Sequence, residues 1–108
     1  MMLKFSKYQG LGNDFIIIDG RGNKLDTLFS QNQGNLIQRL CNRNFGIGSD
    51  GIILILNSKI DCLVRMRIFN SDGSEPEMCG NGFRCLISFL KDKNEIKYLE
   101  QINVETNA

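Results

Sequence analysis

The sequence predicts one small α+β domain in which short strands surround a central long helix. The chain has 108 residues, enough for one hydrophobic core and too few for a second full domain. Short apolar or alternating runs indicate strands, and apolar stripes that recur every three to four residues indicate helices. One Pro and eleven Gly, with 42% hydrophobic and 23% charged residues, are typical of a globular protein.

Five segments have the patterns of strands. Residues 3–8 and 15–19 are separated by the turn Q-G-L-G-N-D, whose glycines permit positive φ, which indicates a hairpin. Residues 52–56 form a continuously apolar run, typical of a strand buried on both faces. Residues 63–69 alternate apolar side chains with arginines, which predicts a strand with one face in water. Residues 102–106 predict the beginning of a further strand.

Two segments have helical periodicity. The spacing of apolar residues predicts a helix over residues 35–42 and a longer amphipathic helix over residues 80–91. The apolar stripe of the longer helix consists of Phe83, Leu86, Ile87 and Leu90. Lysines at its end lie near the negative end of the helix dipole, where they are favourable. Short strands combined with this helix are the basis of the α+β prediction.

The charge balance and the apolar runs exclude several classes of partner. Thirteen basic and twelve acidic side chains give a net charge of +1, without the basic surplus that drives nucleic-acid binding. The longest apolar runs, such as I-I-L-I-L, are far shorter than the roughly 20 residues that span a bilayer, so no membrane partner is expected. The N-terminal segment lacks the apolar core of a signal peptide. The cytoplasm is therefore the expected compartment.

The content of cysteine and histidine limits the possible chemistry. The four cysteines match no C-x-x-C redox or zinc spacing, and reduced thiols are expected. The sequence has no histidine, which excludes imidazole-based triads and metal sites that depend on imidazole. Neither a metal nor pyridoxal phosphate is expected as a cofactor. Catalysis must therefore use thiols, carboxylates, amides and the backbone.

Two loops resemble ligand-binding motifs but lack the context that those motifs need. The segment G-I-G-S-D-G fits the dinucleotide fingerprint, yet a predicted helix precedes it and a predicted strand follows, which reverses the order that pyrophosphate binding requires. The loop that starts at Asn70 begins like a calcium loop, but Glu75 stands at its glycine position and Asn81 at its final glutamate position. Neither a nucleotide nor calcium is expected.

Cys79 is the thiol with the most informative surroundings. It immediately precedes the long predicted helix, and Gly80, Asn81 and Gly82 leave backbone N–H groups open in the first turn. A helix N-terminus carries roughly half a positive charge, which favours the thiolate form of a cysteine placed there. The same N–H groups can bind a substrate carboxylate. The other cysteines, Cys41, Cys62 and Cys85, lie in or beside apolar patterns and are interpreted as buried, unreactive residues.

Three motifs in order resemble the diaminopimelate epimerases. They are F-S-K-Y-Q-G-L-G-N-D-F, R-N-F-G-I-G-S-D-G and M-R-I-F-N-S-D-G-S-E-P-E-M-C-G-N-G-F-R-C, and together they extend over essentially the whole chain. The last is the most specific, because it keeps many special residues in order. The resemblance implies a fold of two similar halves with the site in the cleft between them. Residues 1–108 are then expected to be the N-terminal half, with the second half absent.

The resemblance implies interconversion of L,L- and meso-diaminopimelate without a cofactor, in lysine and peptidoglycan precursor biosynthesis. In this family one cysteine removes the α-proton as a thiolate, and a second cysteine delivers a proton to the opposite face. The resemblance assigns the first role to Cys79 and substrate contacts to Asn13, Asn70, Gly80 and Asn81, with the backbone of the last two near the carboxylate. Spacing alone would leave Asn13 and Asn70 as turn residues.

No motif in the chain supplies the second catalytic cysteine, and Cys85 is expected to point elsewhere. The chain alone is therefore expected to be inactive and to need a complementary C-terminal half or a second copy of itself. It is interpreted as a fragment, a split-gene product or a degenerate remnant. Two other functions stay open: a non-catalytic module of the same fold that binds a small amino acid or a protein, and a relative of the proline racemases.

Overall fold

A five-stranded mixed sheet forms the centre of the structure, and helices cover both of its faces. The computed structural model describes residues 3–31, 33–77, 79–97 and 102–106. The α+β class predicted from the sequence is confirmed, although the long helix covers one face of the sheet while two shorter helices cover the other. Among the described residues, no helix has the length and apolar character needed to cross a membrane.

The elements follow one another in the order β1 (Ser6–Gly10), β2 (Asn13–Asp19), α1 (Leu25–Gln31), α2 (Gln33–Cys41), β3 (Gly51–Leu56), β4 (Val64–Asn70), α3 (Gly80–Asp92) and β5 (Val104–Glu105). The strands have the same order in the sheet as in the sequence. The pairs β1–β2 and β3–β4 are antiparallel, whereas β2–β3 and β4–β5 are parallel. Parallel neighbours need a crossover, which α1 and α2 provide for the first pair and α3 for the second.

The alternation of side chains along β2 and β3 fills two separate cores. One core contains Ile17, Ile53 and the buried face of α3, and the other contains Ile16, Ile52 and the buried residues of α1 and α2. Because both faces are covered, all six residues of β3 are buried. The predicted burial of residues 52–56 on both faces is therefore confirmed.

The boundaries of several elements differ from the predicted ones. The first hairpin has a turn of only two residues, Leu11 and Gly12, with φ of 52° and 91°. Two consecutive positive φ angles fit the right-handed twist of a hairpin, so β1 extends to residue 10 and β2 begins at residue 13. The helix predicted over residues 35–42 is α2, which begins two residues earlier and ends one residue earlier, at Gln33–Cys41. The additional helix α1 precedes it. The strand predicted over residues 102–106 contains only Val104–Glu105.

The prediction of a wet face on β4 is wrong, because Arg67 is only 8% exposed. The helix α1 covers this face and contributes two of the partners of the guanidinium. The guanidinium of Arg67 donates hydrogen bonds to both carboxylate oxygens of Glu75 at 2.8 Å each, to Asp26 at 2.6 Å and to the hydroxyl of Ser30 at 2.7 Å. It also lies 4.9 Å from the centre of the Phe69 ring. Alternation along a strand cannot reveal such partners, because they come from distant segments.

Replacement of Arg67 by Met should lower the free energy of unfolding by about 3 kcal/mol, because it removes the buried guanidinium that the part-buried carboxylate of Glu75 contacts with both oxygens. Urea unfolding followed by circular dichroism measures this change. Arg84→Met is the matched control, since Arg84 is exposed on α3 and such a substitution should change stability by less than about 0.5 kcal/mol. Equal effects of the two substitutions would contradict the stabilising role of the Arg67 network.

Candidate functional site

One edge of the sheet brings together the polar residues that the sequence analysis selected. Asn13 is the first residue of β2 and Asn70 the last residue of β4. The register pairs Asn70 with Gly51 on β3, and Gly51 with Phe15 on β2. The beginning of β2 and the end of β4 therefore lie at the same edge, separated by one strand.

The first turn of α3 reaches the same edge. A Cβ atom added to Gly10, at the end of β1, would lie 3.0 Å from the carbonyl oxygen of Asn81 and 3.2 Å from the Sγ of Cys85. A Cβ atom added to Gly82 would lie 3.2 Å from the Cδ1 of Ile68. Glycine at these two positions thus permits the helix to approach the sheet closely.

Cys79 is the N-cap residue of α3 and has an extended backbone, with φ −142° and ψ 115°. Its carbonyl accepts the hydrogen bond from the N–H of Phe83 at 2.9 Å, and its half-buried side chain makes no capping hydrogen bond. The first N–H groups of a helix have no partner within the helix itself. Gly80 is exposed, and a Cβ atom added there would meet nothing within 4 Å. The N-terminus of α3 is thus open beside the thiol.

A direct hydrogen bond joins two of the selected asparagines. The Nδ2 of Asn81 donates to the Oδ1 of Asn13 at 2.7 Å, although 68 residues separate them in sequence. Both side chains are half-buried. The pair connects the beginning of β2 to the first turn of α3, one residue after Gly80 and two after Cys79. The structure therefore brings four of the five selected residues into one small region.

Asn70 lies at the same edge but forms a separate set of hydrogen bonds. Its Nδ2 donates to the hydroxyl of Ser74 at 3.0 Å, and its backbone N–H donates to the Ser74 carbonyl at 2.8 Å. The N–H of Gly73 donates to the carbonyl of Asn70 at 2.9 Å. Among the described residues, no hydrogen bond joins Asn70 to Asn13 or Asn81. Asn70 thus begins a tight turn, and its side chain is exposed.

Three charged residues, Asp14, Arg43 and Asp50, lie near Asn13, and the sequence motifs assigned no role to any of them. Arg43 donates hydrogen bonds to Asp14 at 2.8 and 3.2 Å and to Asp50 at 3.1 Å. The Nδ2 of Asn13 lies 3.4 Å from the Oδ2 of Asp50. The Arg43 guanidinium holds the pKa of the Asp14 carboxyl well below its usual range. The only available signal was that Arg43 and Asp50 flank the glycines of R-N-F-G-I-G-S-D-G, which does not indicate what they contact.

The other cysteines differ in burial. Cys41 and Cys85 are 4% and 1% exposed, as expected for core residues. Burial raises the pKa of both thiols, which disfavours their thiolate forms. Cys62 is only half-buried in the connection from β3 to β4, at the opposite edge of the sheet, so its predicted burial is incomplete. Of the four thiols, Cys79 alone lies at the edge occupied by Asn13 and also at a helix N-terminus.

The candidate site is composed of a thiol, neutral amides and backbone N–H groups. Within residues 3–31, 33–77, 79–97 and 102–106, no three His, Cys, Asp or Glu side chains are grouped so that they could hold a metal ion. A thiol can exchange a proton, and the N–H groups at a helix N-terminus can bind an anion. The arrangement can therefore bind a carboxylate beside a group that takes up or releases a proton.

Comparison with solved structures supports the fold. The chain superimposes on a crystal structure of the Bacillus anthracis phenazine biosynthesis protein of the PhzF family with a TM-score of 0.61 and 21% sequence identity. The match covers 96% of this chain and 31% of that protein. At this level of identity, the similarity concerns the fold alone.

Comparison of sequences gives a closer relationship. The chain is 69% identical to the diaminopimelate epimerase of Prochlorococcus marinus strain NATL1A and 50% identical to that of strain MIT 9313, over 108 residues in each case. It is 56% identical over 92 residues to the enzyme of Nostoc punctiforme. The chain spans about a third of the length of these relatives, 38%, 36% and 32% respectively. A family model described as diaminopimelate epimerase matches residues 5–108, and the chain belongs to this family.

Proposed function

We propose that this chain provides one half of a cofactor-independent epimerase site, in which Cys79 exchanges the α-proton on one face of diaminopimelate. The observation that carries the proposal is the position of Cys79 at the open N-terminus of α3, beside the hydrogen-bonded pair of Asn13 and Asn81. The name diaminopimelate epimerase, which the relatives bear, supports the choice of substrate. The complete reaction interconverts the L,L and meso isomers.

The N-terminus of α3 provides the proposed carboxylate site. The backbone N–H groups of Gly80 and Asn81 lie in the first turn of the helix, where N–H groups have no partner within the helix. The absence of a side chain at Gly80 leaves space for the ligand. Removal of the α-proton moves negative charge onto the substrate carboxylate, and N–H groups already directed there stabilise that charge. The same contacts thus bind the substrate and lower the barrier.

Proton transfer requires one group on each face of the α-carbon. The Cys79 thiolate accepts the α-proton and becomes a thiol, while the electron pair of the broken C–H bond stays on the substrate. A second thiol then donates its proton to the opposite face, which inverts the configuration. We assign that thiol to a complementary C-terminal half, because the chain spans only about a third of its relatives, 38% of the first. Cys85 is unsuitable, since it is 1% exposed.

The asparagines supply the remaining proposed contacts. Asn13 and Asn81 are half-buried next to the helix N-terminus, and Asn70 is exposed at the same edge. Amide side chains both donate and accept hydrogen bonds, so they can bind the ammonium and carboxylate groups of an amino acid without taking its α-proton. We place the reaction in the cytoplasm, where thiols stay reduced.

Cys79 should react with iodoacetamide at pH 7 at least about tenfold faster than Cys41 or Cys85, because burial hinders access and favours the neutral thiol at the latter positions. It should also react faster than the half-buried Cys62, which is not at a helix N-terminus. Mass spectrometry of peptides after timed labelling gives the four rates. Circular dichroism must first establish that the chain is folded. Equal or slower labelling at Cys79 in a folded chain would contradict its assignment as the reactive thiol.

The chain alone should give no measurable epimerisation, whereas addition of a complementary C-terminal half should restore turnover that depends on Cys79. A lone thiol can return the proton only to the face from which it came. The assay measures meso-diaminopimelate formed from the L,L isomer, with Cys79→Ala and Cys62→Ala as test and control variants.

Two results would contradict this prediction in different ways. Turnover by the chain alone would show that the second acid is already present, and a dimer with two Cys79 residues facing one substrate would be the first arrangement to test. Undiminished turnover by complemented Cys79→Ala would instead remove Cys79 from the role of base.

Turnover of the complemented enzyme should persist after treatment with EDTA and with hydroxylamine, which removes pyridoxal phosphate. The proposed proton transfer uses only thiols and hydrogen-bond donors, and the sequence offers no imidazole ligand. If the treatment abolishes activity and added zinc or pyridoxal phosphate restores it, the proposed cofactor-independent proton transfer is contradicted.

A further inference from the structure

We infer that Asp50 is a positioning residue, whose carboxylate fixes the orientation of the Asn13 amide and, through it, that of Asn81. The inference rests on the proposed function for its catalytic consequence. Its geometric part rests on the hydrogen bonds alone. Asp50 precedes β3 directly, between the strands that carry Asn13 and Asn70.

The direction of the hydrogen bonds follows from the chemistry of the groups. An ionised carboxylate has no donor, so the Asn13 amide must direct its NH2 group toward Asp50, where Nδ2 lies 3.4 Å from Oδ2. The carbonyl of Asn13 then lies on the other side of the amide and accepts from the Nδ2 of Asn81 at 2.7 Å. The two amides are therefore oriented in series, beginning at the carboxylate.

Other contacts hold the Asp50 carboxylate in place. Its Oδ2 accepts the backbone N–H of Asp14 at 3.0 Å, and its Oδ1 accepts from Arg43 at 3.1 Å. The backbone of Asp50 is held independently, because its N–H donates to the Asp14 carbonyl at 3.0 Å and its carbonyl accepts from Ser71 at 3.1 Å. Replacement of the carboxylate by an amide thus leaves the backbone connections between strands intact.

The orientation of Asn81 determines what the site offers to a ligand. Its NH2 group is directed to Asn13, and its Oδ1 accepts no hydrogen bond from the described residues. The site then presents a free acceptor oxygen in the same helical turn as the N–H groups of Gly80 and Asn81. An α-amino acid carries an ammonium donor and a carboxylate acceptor on one carbon. The ammonium is complementary to the acceptor oxygen of Asn81, and the carboxylate is complementary to the N–H groups. Asp50 would thereby favour α-amino acids over carboxylic acids that lack the amino group.

The side-chain amide resonances of Asn13 and Asn81 in ¹⁵N–¹H spectra of the full chain test the geometric part. In Asp50→Asn, the new amide can present either its oxygen or its NH2 group, so the orientation of Asn13 is no longer fixed and both resonances should shift or split. Asp61→Asn is the matched control, since Asp61 is exposed in the connection at the opposite edge of the sheet. Asn13→Ala and Asn81→Ala assign the signals.

Unchanged resonances in folded Asp50→Asn would overturn the inference. If that variant fails to fold, Asp50→Ser serves the same purpose, because a hydroxyl also both donates and accepts. These spectra need no catalytic activity, so they decide the geometric part even if the proposed epimerase function fails.

A double-mutant cycle on the complemented enzyme tests the catalytic part. Asp50→Asn should lower kcat/KM by about tenfold, as expected for the loss of one hydrogen bond to a charged group. In the Asn13→Ala background the same substitution should change kcat/KM by less than about twofold, because its effect passes through Asn13. If the losses in kcat/KM caused by Asp50→Asn and Asn13→Ala multiply independently, Asp50 does not act through Asn13 and the inference is overturned. Failure of the proposed function is distinguishable, since complemented wild-type protein would then show no turnover dependent on Cys79.

Discussion

The close approach of the first turn of α3 to the sheet is the constraint on which the candidate site depends. It is possible because residues 10 and 82 have no side chains, and a Cβ atom at either position would lie within 3.2 Å of a neighbouring atom. This approach places the Asn81 amide within 2.7 Å of Asn13 and positions Cys79 at the same edge. Without it, the thiol and the asparagines would lie on separate surfaces.

The local elements of the fold were predictable because their signals lie within short segments. The apolar stripe of α3 predicted residues 80–91, and the structure has Gly80–Asp92. The apolar run of β3 predicted burial on both faces, which all six residues have. The first hairpin was predicted at the right place, but its turn was predicted too long, because Leu11 has positive φ, an uncommon conformation for a residue with a side chain.

Contacts between distant segments were not predictable from patterns. The alternation in β4 gave no indication that Arg67 meets Glu75 and two residues of α1. The network of Arg43, Asp14 and Asp50 likewise joins the connection before β3 to the start of β2. In the candidate site, the sequence identified Cys79 through its place before a helix. It could identify Asn13 and Asn70 only through resemblance, since turn asparagines are common.

The anchoring of the loop between β4 and α3 links the two sides of the sheet. Glu75 in this loop pairs with Arg67, while Gln33 and Gln38 of α2 donate to the carbonyls of Gly73 at 2.6 Å and Asp72 at 2.9 Å. The loop leads to Cys79, whose helix packs on the opposite face. Substitutions in α1 or α2 that remove these hydrogen bonds should therefore affect the position of the Cys79 thiol. Changes at these anchoring positions should arise in compensating pairs during evolution, as they do within a single packed core.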